Sequence, residues 1–347
     1  MKLSRTALEV DGKPVPVAGV IALGLISGRV TEAFQRLRDA MSAEAALESV
    51  NLGPEGSDIQ PVLNAWRNEH GLTSAESTSQ WLSARDLELS DLVTFISRKL
   101  SLERAAERLE EARAKFPPSF PAAILGLADF LIFEDKLGEL VQEAGMRAAA
   151  EPPEEPKRVD EARKKIAVEL AEFGGIGAIE KLFSLSPEQA ALVVEIEARF
   201  RVADAIACTP EALQKELSKN RRNLTRVELA EASFEDEGVA LEVIATLRHE
   251  RTWLEQLAET LGVEVKRRVQ FIDTLNDSAL AARLATGQVG DVVGPERRQE
   301  RFAVFEVLGH IPPKMEDPEV QALLLARVRR RAFSAAIERH IRFHLVA

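Results

Sequence analysis

Few residues in this chain are placed to do chemistry. His249-Glu250-Arg251-Thr252-Trp253 opens like a two-histidine zinc helix. Such a site needs both imidazoles on one helical face, four positions apart. Trp253 stands where the second ring must be, so the stretch is expected to be an exposed helix end. His340 and His344 do have the i, i+4 spacing. Two ligands alone hold a metal weakly, and an aromatic edge on the last helical turn is the expected role. Gly174-Gly175-Ile176-Gly177 has no Lys-Ser or Lys-Thr after it and no strand before it. It is expected to stop a helix, not to cradle phosphate. Residues 287–294 lack the required lysine as well. Cys208 is the only cysteine, which excludes an internal disulfide and a cysteine-rich metal site. There is no Ser-His-Asp spacing and no nucleophile elbow. No metal and no cofactor are expected.

The charge pattern narrows the partners. The net charge of −11 disfavours attraction to nucleic acid or to an anionic membrane, and neither partner is expected. Arg327, Arg329, Arg330, Arg331, Arg339 and Arg342 make the end of the chain basic. Cations suit a helix C-terminus, and the rest can pair with the acidic body; an acidic peptide is the functional option for the same face. Arg221-Arg222 beside Arg226 is expected to cover a domain junction. With 46% apolar residues in 347, the chain can build a real core, and its length suggests two domains. Residues 14–27 have the length of a secretory h-region, but Glu9 and Asp11 occupy the place of its positive flank. A buried first helix is expected, and with it a cytoplasmic protein rather than a periplasmic one.

Stepping along the chain, residues 6–17 read as an extended lead-in with a turn at Asp11-Gly12. Helical periodicity then dominates to about residue 222. Phe34, Leu37 and Met41 share one face of a helix from Thr31, and Val62, Leu63 and Trp66 lie on another that stops at Gly71. Thr73-Ser74-Ala75-Glu76 reads as a capping box. A helix from Ser90 carries Leu92, Phe95, Ile96 and Leu100 and cannot pass Pro117-Pro118 regularly. Residues 121–148 read as one long helix. Residues 151–156 are an acidic, proline-rich candidate linker. Residues 157–173 are helical. Ser186-Pro187-Glu188-Gln189 and Thr209-Pro210 start two further helices. After Arg222 the period changes. Strands are expected at 226–234, 265–272, 288–293 and 301–308, with a charged hairpin loop from Gly294-Pro295. Helices are expected at 237–249, 252–261 and 276–285. A last helix starts at Asp317-Pro318-Glu319 and runs nearly to His344. No solenoid repeat is visible.

The order strand, helix, helix, strand, helix, strand, strand resembles the parvulin-type prolyl-isomerase domain. Residues 240–261, ALEVIATLRHERTWLEQLAETL, are similar to that family's long helix followed by its F-x-x-L-A helix. Residues 284–293, LATGQVGDVV, resemble its L-x-x-G-x-V-S-x-P-V segment, and residues 302–307 look like its closing strand, with Pro312-Pro313 following. The wider layout resembles the SurA-type chaperones and the parvulin-like proteins of bacterial peptide-maturation systems. Trp66-Arg67 through Leu72-Thr73, Trp81-Leu82 and residues 89–100 are similar to their helical module. The resemblance implies an α+β, predominantly α-helical fold. Residues 1–223 would form the helical N-terminal module and 224–312 the βααβαββ domain. The helix of 313–347 would return to the N-terminal module through Leu323, Ala326, Phe333, Ile337 and Ile341. Residues 116–186 match nothing in it.

The departures from the family decide the expected chemistry. Its members carry a histidine in the first strand and another in the last. The matching positions here are Glu231 and Ala303. The family's long loop is reduced to residues 262–268, and its proline-pocket Met and Phe have no counterpart around residues 275–280. No catalytic residue is therefore expected. The resemblance implies a peptide-binding, chaperone-like protein with a degenerate parvulin domain. Its partner would be a peptide or precursor segment, or a maturation enzyme acting on one. The candidate binding floor is Trp66, Trp81, Phe95 and Ile124. An active prolyl isomerase and a structural assembly partner are the two competing functions; turnover of a proline peptide separates the first, and peptide binding the second.

Overall fold

A computed structural model describes residues 3–151, 156–171, 175–250, 252–272, 278–298 and 300–344. The chain is 65% helical and carries two small antiparallel sheets, so it is α+β and predominantly α-helical, as expected. It divides into two compact units. One is Met1–Ile206 together with Ala332–Ala347, and the other is Ala207–Arg331.

In the first unit, Asp11 and Gly12 take φ of 51° and 78° and turn the chain between β1 (Thr6–Val10) and β2 (Lys13–Pro16). The lead-in is thus a hairpin rather than a merely extended segment. Helix α1 (Val17–Ile26) has every residue but Leu25 buried. A helix that is apolar all round belongs inside a core. Helices α2 (Thr31–Glu48), α3 (Gly56–Glu69), α4 (Ala75–Ser83), α5 (Leu89–Arg104) and α6 (Leu109–Lys115) follow. The start of α4 corrects the expected box by one residue. Ser74 Oγ accepts from the Ser77 amide at 3.0 Å, and Ser77 Oγ accepts from the Ser74 amide at 3.1 Å. A serine at that offset closes the box as well as the expected glutamate.

The single helix expected over 121–148 is two, α7 (Phe120–Phe133) and α8 (Leu137–Ala148). Asp135 sits between them at φ 55°, a left-handed conformation that Asp tolerates. Apolar periodicity continues on both sides, which hides the break. Next come α9 (Pro156–Ala171), α10 (Ile176–Phe183) and α11 (Pro187–Ala207). Residues 152–155 of the candidate linker lie outside the described residues, as does Gly174. Gly175, at φ +81°, precedes α10, whereas Gly177 lies within that helix. The Ser186–Gln189 box at α11 forms as read.

The second unit begins with α12 (Pro210–Asn220), whose Thr209 cap forms as read. Then come β3 (Arg226–Phe234), α13 (Glu237–Glu250), α14 (Leu254–Thr260), β4 (Val265–Phe271), α15 (Ser278–Thr286), β5 (Val292–Arg298) and β6 (Arg301–Ile311). The sheet order is β4-β3-β6-β5, antiparallel throughout. Both faces of β3 and β6 are covered. Ala230, Ala232, Phe234 and Val304 join the core with α13 and α14, and Val227, Leu229, Phe305 and Val307 join the core with α15. The strand expected over 288–293 is displaced. It starts at Val292 and continues through Gly294-Pro295, where the hairpin loop was expected. A register shift against β6 between Val293 and Glu296 absorbs the proline. Gly294 is required there. Its φ is +135°, and a Cβ would lie 2.8 Å from the Ala303 carbonyl oxygen.

The last helix, α16 (Pro318–His340), contributes to both units. Val320 and Leu324 pack with Leu217 and Leu224 in the second unit. Phe333 meets Phe200 at 5.8 Å between ring centroids in the first. Of the expected apolar edge, Ala326 is exposed, and Val320, Leu324 and Val328 take the buried places. The helix also ends before His344. Residues from Ile341 to Phe343 form β7 and pair antiparallel with β1, Leu8 opposite Phe343 and Val10 opposite Ile341. Gly145 of α8 makes room for this strand, since a Cβ there would lie 2.5 Å from the Phe343 ring. No single described helix is long and apolar enough to cross a membrane.

Candidate functional site

Strand alternation sends Glu231 and Ala303 to the same face of the second unit's sheet, the one that α15 covers. In register, Glu231 stands opposite Phe305 and Ala303 opposite Ser233. Glu231 is 7% exposed, and both of its oxygens are engaged. Oε1 lies 3.4 Å from Arg298 Nη1, and Oε2 lies 3.1 Å from Arg268 Nε. The Arg298 guanidinium also lies 4.9 Å from the centroid of the Phe305 ring. The position that carries a histidine in the resembled family therefore holds a carboxylate clamped between two arginines. Ala303 is 1% exposed, so the missing ring leaves no solvent-open gap. The connection from α14 to β4 is short and turns at Gly262, φ +68°. Of residues 275–280, those up to 277 lie outside the described residues, and Leu280 is a residue of α15 that packs into the core under that helix.

The opposite face carries a second buried acid that sequence reading passed over. Glu306 is 2% exposed. Its Oε2 accepts from the Leu254 amide at 2.7 Å, at the first turn of α14. Its other oxygen has no hydrogen-bond partner among the described residues. Burial pushes the carboxyl above the usual glutamate range; the Leu254 amide opposes that, and the charge of Glu255 adds to it. Glu306 lines a cleft of about 870 Å³, together with Arg248, Trp253, Arg283 and the segment from Gly287 to Asp291. The signal was present in the sequence. In RFAVFEVL the neighbours of Glu306 on its own face, Phe302, Val304 and Leu308, are all apolar.

In the first unit the expected binding floor is partly closed. Ile124 is 0% exposed, and Trp66 is buried with its Nε1 donating to the Phe133 carbonyl at 3.3 Å. Trp81 and Phe95 are half-buried. The three aromatic residues gather around Phe133, with ring centroids 5.9, 6.1 and 5.2 Å from it for Trp66, Trp81 and Phe95. Ile124 belongs to the enclosed core. A larger apolar groove, about 1040 Å³, lies elsewhere, over α9, α10 and α11. Ala167, Ile176, Ala191, Leu192 and Val194 line it, and Lys13, Lys164, Glu180 and Glu188 border it.

The remaining candidates resolve locally. His340 Nδ1 lies 2.7 Å from Asp11, and His344 Nε2 lies 3.1 Å from Glu9, so the two imidazoles take separate acids. Among the described residues, no three His, Cys, Asp or Glu side chains converge as a metal site. His249 is exposed at the end of α13, and Arg251 of the same motif lies outside the described residues. Arg226 pairs with Asp317 and Glu319. On α16, Arg331 pairs with Glu216 at 2.5 Å, and Arg339 with Glu151 at 2.9 Å. No protein-family model matches the chain, and no curated protein matches it either.

Proposed function

We propose that this chain is a peptide-binding, chaperone-like protein whose residues 224–312 form a parvulin-like domain without isomerase chemistry. The observation that carries the reading is the apolar groove over α9, α10 and α11. A groove with an apolar floor and charges of both signs at its border suits an apolar peptide segment with charged flanks. Its volume, about 1040 Å³, is at the upper end of what small-molecule pockets reach. The client is a peptide or a precursor segment, and a maturation enzyme acting on such a segment is a compatible partner.

The parvulin-like part is supported by element order. From residue 226 to 311 the chain runs strand, helix, helix, strand, helix, strand, strand, the order that the resemblance implies. The absence of chemistry is supported by the Glu231 cluster. An isomerase pocket must take the X-Pro bond out of water and favour its twisted form with aimed hydrogen bonds. At these positions the polar groups are spent on one another, and the alanine is closed off. Fluorescence anisotropy with labelled apolar peptides tests the reading. Binding is expected, and Leu192→Asp should weaken it at least tenfold while leaving the far-UV spectrum intact. Peptides that do not bind, or binding that Leu192→Asp leaves unchanged, would reject it.

A further inference from the structure

The cleft beside Glu306 is built unlike an ordinary surface hollow. At its floor is a carboxyl group 2% exposed, with one oxygen satisfied by the Leu254 amide and the other unpartnered among the described residues. The free oxygen faces the cleft, and the ionised group has no cationic partner among the described residues. An ammonium group entering the cleft supplies hydrogen and opposite charge together. Trp253, 45% exposed on the same cleft, offers a ring face to a cation or to an apolar side chain.

The rim carries the complementary sign. Arg248, an exposed residue lining the cleft, spends Nη2 on the Val292 carbonyl at 3.2 Å and makes no other hydrogen bond or ion pair among the described residues. Arg283 has only a loose acid partner, Glu296 at 3.8 Å. The one acid on the rim, Asp291, accepts from the Gln288 amide at 2.6 Å. We infer that this cleft binds a small zwitterion, a molecule with a primary ammonium group and a carboxylate, of the size of an amino acid or a short peptide. Glu306 takes the ammonium, Trp253 flanks it, and Arg248 with Arg283 takes the carboxylate. A volume of about 870 Å³ leaves room for a side chain or a second residue. Glu306 lies on the face of the sheet away from Glu231 and Ala303, whereas Arg283 comes from α15 on the other face, so the cleft reaches around the β5 edge; it shares no lining residue with the peptide groove.

Isothermal titration of the full chain, with the Trp253 indole resonance followed by NMR, tests this. The probes are leucine, dileucine, N-acetyl-leucine and leucinamide. Leucine or dileucine should bind and shift the indole. N-acetyl-leucine, lacking the ammonium, should bind at least tenfold more weakly, and leucinamide, lacking the carboxylate, several-fold more weakly. Tighter binding of dileucine than of leucine assigns the site to peptides, and the reverse assigns it to free amino acids. Glu306→Gln keeps an acceptor for the Leu254 amide and should lose at least tenfold in affinity. The exposed Arg248→Gln should lose the preference for leucine over leucinamide, which keeps the test decisive if Glu306→Gln folds poorly. The inference is overturned if none of the four probes shifts Trp253, if N-acetyl-leucine binds as well as leucine, or if both variants bind as the parent does.

Discussion

Glu231 and Glu306 sit on adjacent strands of one sheet, face opposite ways, and are buried to nearly the same degree. Their surroundings differ completely. Glu231 meets two guanidinium groups, one on each oxygen. Glu306 meets a single backbone amide in an apolar layer, and its carboxyl is pushed up by burial. Depth alone therefore does not tell which acid is charge-paired and which is not. The first is spent inside the protein, and the second is left with an oxygen to offer.

Four substitutions probe that contrast. The largest effect is expected on the α15 face from Phe305→Ala, which deletes a ring enclosed between Glu231, Arg298 and the core. A loss of about 3–5 kcal/mol in a denaturant titration is expected. A much smaller loss would mean that this face is loosely packed and that its ion pairs are incidental. Gly294→Ala comes next, at about 2–3 kcal/mol, because a side chain there meets both an unfavourable φ and the Ala303 carbonyl. Glu231→Gln should cost about 1–2 kcal/mol. Its loss leaves two guanidinium groups unmatched, but both are exposed enough to be hydrated and screened.

The smallest effect at neutral pH is expected from Glu306→Gln, within about 1 kcal/mol and of either sign. Its signature is the pH dependence. The folded state holds the Glu306 proton more tightly than the unfolded state does, whose carboxyl titrates near the ordinary value of 4.5. Stability therefore falls as pH rises from that value through the raised folded one, and is level above it. The glutamine variant should lack that decline, which parallel denaturant titrations from pH 4 to 8 can read. If Glu231→Gln shows the same decline-removing behaviour, the contrast between the two acids is lost.

Much of this was readable where local chemistry is decisive. The starts of α11 and α12 follow from Ser186-Pro187 and Thr209-Pro210, since a side-chain oxygen and a proline fix a helix start without distant help. β3 was legible to its ends because its alternation is bounded by Arg226 and the turn after Phe234. What escaped depends on tertiary contacts. Nothing local marks Asp135 as a left-handed break inside a continuous apolar run. Pro295 reads as a loop until the bulge against β6 is known. Residues 341–343 continue a helical pattern and become a strand only because β1 offers an edge. At the site, the identities of Glu231 and Ala303 were visible, but the arginines that neutralise Glu231 come from β4 and β5 and could be assigned only through register. Glu306 was visible as a polar residue on an apolar strand face and was passed over.

The pairing of β7 with β1 ties residues near the start of the sequence to residues near its end. Ribosomes add roughly 5–20 residues per second, and the whole second unit, Ala207–Arg331, is made in between. The free edge of β1 thus waits about 7–27 s after residue 206 until Phe343 completes its partner, by the same rate. During that interval the hairpin presents an open edge to any other extended chain. Nascent-chain handling, not the equilibrium stability of the finished fold, is where this topology is most exposed.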